Sequence, residues 1–192
     1  MQDAPSSPDR RAQRSRDLLL EALVALMMER GFERLTVQNL MERAGVGRAT
    51  FYAHFESKDA LLACSVDNLR VWLEQAWKSA PPQRLGFTLP FFQHLASHRP
   101  MYQMTIVRES ETTVERYIRS MLRELVRQDL KVGRATAQTD TALDLAVPFV
   151  VATLWACIVW WMESAPHLLP DEMNARFQRL CFPGLQASLG VD

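Results

Sequence analysis

The chain of 192 residues has little glycine, little cysteine and no net charge. Among its seven glycines there is no Gly-rich phosphate loop, and no Ser-His-Asp order stands out, so the usual marks of phosphate-handling and nucleophilic enzymes are missing. Its three cysteines, Cys64, Cys157 and Cys181, are odd in number, widely separated and without a C-x-x-C pair. That argues against a disulfide framework or a cysteine zinc site and suits reduced thiols in a cytosolic protein. A formal charge of zero means that no global field draws in polyanions. The opening MQDAPSSPDRR lacks the apolar run of a secretory signal and reads as a short disordered tail. Period-two alternation never lasts long enough for a strand, and no internal repeat is visible.

What is present is apolar content and a local concentration of positive charge. Hydrophobic residues make up 48% of the chain, enough for one sizeable core or two small ones. Arg10, Arg11, Arg14 and Arg16 crowd the N-terminal end, followed by Arg34, Arg43, Arg48 and Lys58. On a neutral chain this uneven distribution marks the region to inspect for a nucleic-acid face, a solvated helix surface being the ordinary alternative. A second concentration is apolar: Leu145 to Met162, LAVPFVVATLWACIVWWM, carries no charge. Its length nearly suffices to span a bilayer, and Trp160-Trp161 lies near one end. The residues that follow are Glu163, Ser164, Ala165 and Pro166, with no basic cluster. A helix packed on its own domain and on a second subunit has the same character, and that reading is preferred.

Helical spacing dominates, and the expected fold class is all-α. Leu20, Leu23, Val24 and Met27 fall at i, i+3, i+4 and i+7, and Gly31 supplies a left-handed stop. A short helix from Val37 to Ala44 has Thr36 as N-cap, Gly45-Val46 turns the chain, and a third helix covers Gly47 to Phe55. Ser57 caps a long helix from Lys58 with an apolar stripe through Leu62, Val66, Leu69 and Leu73, ended by Ala80-Pro81-Pro82. Thr88 is expected to cap the next helix, and Pro100 to open a short one. An amphipathic helix spans Val114 to Leu125 and stops near Gly133. The apolar helix follows with a kink expected at Pro148, and Pro170 to Leu189 is expected to be interrupted at Pro183-Gly184.

Two short helices joined by a Gly-containing turn behind a supporting helix form a helix-turn-helix arrangement. Its second helix enters a major groove by its N-terminal residues, here Gly47, Arg48 and Ala49. Arg48 suits a bidentate pair with guanine, and Ala49 is small enough for close approach or a thymine methyl. Thr50, Tyr52 and His54 carry donors for phosphate, and Lys58 adds a charge at a helix start. The span from Arg14 to Leu62 resembles the DNA-binding domain of the tetracycline-repressor (TetR) family of bacterial regulators. The signature is GFERLTVQNLMERAGVGRATFYAHFESKDALL, with Gly31-Phe32, Thr36, Ala44-Gly45-Val46, Thr50-Phe51-Tyr52, His54-Phe55 and Ser57-Lys58 at family spacing. The resemblance implies that Thr36, Thr50, Tyr52, His54 and Lys58 touch phosphates while the start of the third helix reads bases. Gly47 departs from it, since that position is commonly Ser or Thr, and the change removes a hydroxyl cap.

The resemblance further implies a helix-turn-helix DNA-binding domain over residues 10–56 and a helical regulatory and dimerisation domain over 57–192. The expected protein is a cytoplasmic, ligand-responsive repressor and not an enzyme, with no cofactor and no metal. It would bind a pseudo-palindromic operator in double-stranded DNA as a homodimer. Dimerisation is expected on the charge-free helix and on Pro170 to Leu189. A small apolar or aromatic effector would release the DNA. Its candidate pocket residues are Trp72, Phe91, Phe92, Met101 and Tyr102, with Met104, Tyr117, Met121 and Trp155 on the later helices. His94 and His98, at i and i+4, could place two imidazoles on one metal, but no third ligand is identifiable, so core packing or an exposed face is favoured. The alternative to a small ligand is control by a protein partner or by cysteine oxidation.

Overall fold

Helix α1, Ser7–Arg30, carries Pro8 in its first turn, where a missing N–H has no intrahelical partner to lose. The computed structural model describes residues 7–79, 83–107, 112–131 and 140–189. The expected disordered tail is therefore helical from Ser7 onward, and its residues 1–6 lie outside the described ones. Leu19, Ala22, Leu23, Leu26 and Met27 are buried positions of α1, whereas Leu20 and Val24 are half-buried. The apolar stripe is thus broader than expected and centred nearer Leu23. Gly31 stops α1 at φ 74°, with its N–H on the Met27 carbonyl at 3.0 Å.

Helix α2, Val37–Ala44, opens with a capping box. Thr36 Oγ1 accepts from the Asn39 N–H at 3.2 Å, and Asn39 Oδ1 accepts from the Thr36 N–H at 3.2 Å. Gly45, at φ 65°, turns the chain out of α2, and the Val46 N–H reaches back to the Met41 carbonyl at 3.1 Å. Helix α3, Arg48–His54, follows at once, and its buried Phe51, with Phe55 just beyond its end, anchors it to the core. The Glu29–Arg43 ion pair ties the end of α1 to α2.

Helix α4, Lys58–Ser79, begins at Ser57, whose hydroxyl accepts from the Ala60 N–H at 3.1 Å. It lies against α1 on one side and against α7, Thr113–Lys131, on the other. Between them come α5, Thr88–Ser97, and α6, Arg99–Tyr102, which continues as a π-helical turn over Gln103–Val107. Helices α8, Asp140–Ser164, and α9, Pro170–Leu189, pack on each other, with α7 against α8 and α5 against α9. Among the described residues no strand is present.

Two expectations need correction. Thr88 is the first helical residue of α5 and not its cap, because Phe87 already occupies the cap position. The Thr88 hydroxyl turns inward instead. It donates to the Leu85 carbonyl at 2.8 Å, lies 2.7 Å from the Asn174 amide oxygen and accepts from Gln178 Nε2 at 3.1 Å, joining α5 to α9. Second, α9 is one helix of 20 residues, uninterrupted at Pro183-Gly184. Its buried residues Met173, Phe177, Cys181 and Leu185 recur every four positions, while Pro183 and Gly184 face solvent. Packing of that stripe outweighs the one hydrogen bond that Pro183 removes. Helix α8 continues through the exposed Pro148 as a single helix. The expected stops at Ala80-Pro81-Pro82 and Gly133 fall outside the described residues.

The Thr88 hub yields a stability test. Thr88→Val keeps the shape but leaves the half-buried amide groups of Asn174 and Gln178 without their partner at the buried Thr88 position, which should cost about 1–3 kcal/mol in urea denaturation. A loss of only a few tenths would show that the hydroxyl does not hold α5 to α9.

Candidate nucleic-acid interface and effector cavity

Burial of Phe51 and Phe55 leaves the opposite side of α3 outside. Gly47, Arg48, Ala49 and Tyr52 are exposed there, with Thr50 and His54 half-buried at the edge. The Arg48 guanidinium lies 5.3 Å from the centroid of the Tyr52 ring, which holds a charged and an aromatic side chain side by side. Gly47 caps α3 with no side-chain hydrogen bond, and a Cβ at this position would meet nothing within 4 Å. A Ser or Thr would therefore fit, and the loss here is that of a cap and not of space.

An open groove of about 700 Å³ runs between α3 and the N-terminal part of α1, lined by Ala49, Thr50, Ala53 and His54 facing Arg11, Ala12 and Ser15. Arg11 thus stands beside the same face, a placement that sequence reasoning registered only as part of a basic run. The available signal was periodicity: Ala12 and Ser15 precede Leu19 by seven and four residues on one helical face. Other basic residues are engaged elsewhere. Arg43 pairs with Glu29, and Arg16 Nη2 donates to Cys64 Sγ at 2.9 Å.

The expected phosphate donors differ in how free they are. Thr36 is exposed, and its oxygen only accepts in the capping box, so its proton remains to donate. The Lys58 ammonium instead donates to the Phe32 and Glu33 carbonyls at 3.3 and 3.2 Å and lies 4.6 Å from the centroid of the Phe32 ring. Those carbonyls follow the end of α1, so Lys58 braces the α1–α2 turn. Glu33 extends from this turn in the other direction. Its Oε1 accepts from the Thr113 N–H at 2.8 Å, at the N-terminus of α7. A carboxylate there complements the positive helix end, and it links the three-helix unit directly to α7.

Beneath this junction lies a cavity of about 80 Å³. Val24 and Met27 of α1 form one wall, with Leu62, Ser65, Val66 and Leu69 of α4 beside them. His94 and His98 of α5, Met101 and Tyr102 of α6, and Val114 and Ile118 of α7 close it. His94 Nε2 and the Tyr102 hydroxyl are 3.0 Å apart, and the two imidazoles face each other at 4.4 Å between centroids. Burial, with the neighbouring His98 ring, pulls the His94 pKa down to about 4, and burial pushes the Tyr102 phenol up. Both groups are therefore uncharged near neutral pH. Among the described residues no group of three metal-ligating side chains occurs.

Of the nine residues expected to line a pocket, only Met101 and Tyr102 do so here. Trp72 is exposed and stacks outside, 6.0 Å from His94. Phe91 and Phe92 are fully buried core, Phe92 packing on Trp161 at 5.6 Å and Phe177 at 6.4 Å. Met104 is half-buried in the π-helical turn. Tyr117 and Met121 line a separate shallow groove between α4 and α7. Trp155 is buried under the Arg119 guanidinium, 4.5 Å away. Phe91, Phe92 and Trp155 went to the core because their large apolar area is removed from water more completely there. The i, i+4 histidines, expected to be packing or surface, supply the polar side of the cavity.

The remaining surface feature belongs to α8. Leu145, Phe149, Ala152, Ala156 and Trp160 form one exposed stripe, while Val150, Val151, Leu154, Ile158 and Trp161 are buried behind it. Beside it a groove of about 620 Å³ is lined by Cys157, Trp160, Met173, Arg176, Arg179 and Leu180, among others. Burial raises the thiol pKa of Cys157, and burial together with Cys157 raises that of Cys181 to about 12, so both are poor thiolates.

A three-helix reading unit on an all-helical body is the architecture of a DNA-binding transcriptional regulator. Residues 19–63 match the family described as bacterial regulatory proteins, tetR family, and residues 85–182 match the transcriptional regulator C-terminal region. The chain belongs to the TetR family of regulators. It is 23% identical to the HTH-type transcriptional repressor KstR2 of Mycolicibacterium smegmatis, over 97% of this chain and 98% of that protein. For KstR2 of Mycobacterium tuberculosis the identity is 25%, over 87% and 90%. A TetR transcriptional regulator from Streptococcus agalactiae shares the fold with a TM-score of 0.69 at 19% identity, over 91% of this chain and 97% of that one. FadR from Bacillus subtilis, solved in complex with stearoyl-CoA, has a TM-score of 0.58 at 18% identity, over 85% and 96%.

Two buried titrations should oppose each other. For His94 the folded pKa is about 4 against an ordinary 6.5, so the unfolded chain binds more protons between these values and stability falls as pH falls through them. Asp129, buried at the end of α7, is raised by burial to about 6 from 3.8, so its contribution falls as pH rises through that window. Between about pH 4 and 6 the wild type should therefore show a shallow stability slope. His94→Leu should expose a negative slope and Asp129→Asn a positive one, by denaturation across pH. Identical profiles for both variants would remove the assignment.

Proposed function

We propose that this regulator is a ligand-responsive repressor that binds a pseudo-palindromic operator as a dimer and leaves it when a small apolar effector enters the cavity. The observation that carries this reading is the shared wall: Val24 and Met27 of α1, the helix that supports the reading unit, line the same cavity as α4 to α7. An engineered apolar cavity that holds a benzene ring measures about 150 Å³, larger than the present cavity. A ring-sized ligand would thus displace α4 or α7 relative to α1. The displacement would reach the turn where Lys58 and Glu33 join both units. Paired recognition helices must stay about 34–36 Å apart to meet successive major grooves, so a small tilt suffices to lose DNA. FadR with stearoyl-CoA supplies a precedent for an acyl ligand in this fold, and the repressor name of KstR2 supports repression.

In this reading Gly47, Arg48 and Ala49 face base edges. Thr36, Thr50, Tyr52 and His54 contact phosphates, Arg11 joins them from α1, and Lys58 holds the turn as well as adding charge. The domain boundary falls at Ser57, and the protein works in the cytoplasm with the DNA it reads. The α8 stripe and its neighbouring groove meet the same surface of a second copy, as an isologous twofold contact requires.

The test is selection of bound sequences from a random DNA library, followed by affinity measurements at fixed salt. Arg48→Ala should weaken binding to the selected site by about 1–3 kcal/mol and relax preference at one base per half-site. Equal loss on every sequence would make Arg48 a backbone contact, and no enriched sequence would end the operator reading.

The dimer is checked separately by sedimentation. Leu180 is 66% exposed in the protomer, whereas Val151 is buried within it, so Leu180→Glu probes association without disturbing the protomer core. The variant is expected to be a helical monomer at concentrations where the wild type is a dimer. A dimer of unchanged affinity would place the contact elsewhere.

A further inference from the structure

We propose that the cavity selects a neutral ligand, an apolar body bearing one uncharged oxygen that is held at the His94–Tyr102 pair. This rests on reading the cavity as the effector site. Among the described residues its lining contains no Lys, Arg, Asp or Glu, so an ionised ligand would enter without a counter-charge from them. The polar groups are Ser65, His94, His98 and Tyr102, set together against otherwise aliphatic and methionine side chains. Between the Tyr102 hydroxyl and the neutral His94 ring there are two donor hydrogens and one 3.0 Å hydrogen bond. One donor is left over whichever way the pair is protonated. The His98 ring is held at its Nδ1, which is engaged by the His94 carbonyl at 3.1 Å and Ser97 Oγ at 2.9 Å. A carbonyl, ether or hydroxyl oxygen on the ligand matches that spare donor. An anion would need a protonated His94, which burial and the facing His98 ring oppose. A cation would add charge beside two imidazoles in an apolar site.

The test uses the full-length protein at pH 7 and four molecules built on one ring: benzyl alcohol, toluene, benzoate and benzylamine. Ligand-observed NMR titrations give their affinities. Benzyl alcohol should bind up to about tenfold more tightly than toluene, the span of one net hydrogen bond, with both charged molecules weaker than toluene. The double variant His94→Leu/Tyr102→Phe, which lacks both donors, should bring benzyl alcohol down to the level of toluene, and retained toluene binding reports that the variant cavity is intact. Benzoate or benzylamine binding as well as the alcohol would overturn the inference, as would equal affinities for alcohol and toluene. In either case toluene binding leaves the effector reading standing. Failure of all four to bind, toluene included, would remove the cavity as a ligand site and the effector reading with it.

Discussion

The packing of α1 on two different partners sets the rest of the molecule. Leu19, Leu23 and Leu26 belong to the core beneath the short helices, while Val24 and Met27 reach the wall of the cavity among α4 to α7. Because buried side chains fill space at crystal-like density, α1 cannot shift against one partner without disturbing the other. The reading helix inherits its position from this arrangement: Phe51 and Phe55 fix α3 to the core, and its outer face follows by exclusion.

Many side-chain polar contacts stay within one helix, and a few join separate units. Lys58 bonds two carbonyls of the α1–α2 turn, and Glu33 from that turn caps α7. Both bridge elements far apart in sequence, so each contact depends on tertiary placement. Thr88 plays the same part between α5 and α9. Such bonds add little net energy compared with the apolar core, but leaving any one of them unmade inside costs more than it contributes when made.

The charge-free helix α8 shows how one composition supports two readings. It is long and apolar enough to cross a membrane by length and composition, yet half of its most apolar stretch is buried inside the protein. The apolar residues divide into a buried side against α7 and α9 and a stripe from Leu145 to Trp160 outside. The periodicity of the run could not reveal that division, because nearly every position is apolar.

Local chemistry was legible in the sequence wherever one turn of chain decides the outcome. Thr36 as a cap, Gly31 as a left-handed stop, Gly45-Val46 as a turn, and Phe51 with Phe55 on one face of α3 all follow from spacing and backbone sterics alone. Tertiary structure decided which aromatic residues became core and which residues enclosed the cavity. Trp155 and Phe92 match the composition of a pocket, but only the crossing of α1 with α4 to α7 determines that His94, His98, Met101 and Tyr102 face one space. It also carried α9 through Pro183, because a four-residue buried stripe outweighs a single missing donor. Short-range rules act on neighbours in the chain, whereas a cavity is a relation among helices separated by dozens of residues, and no local pattern encodes it.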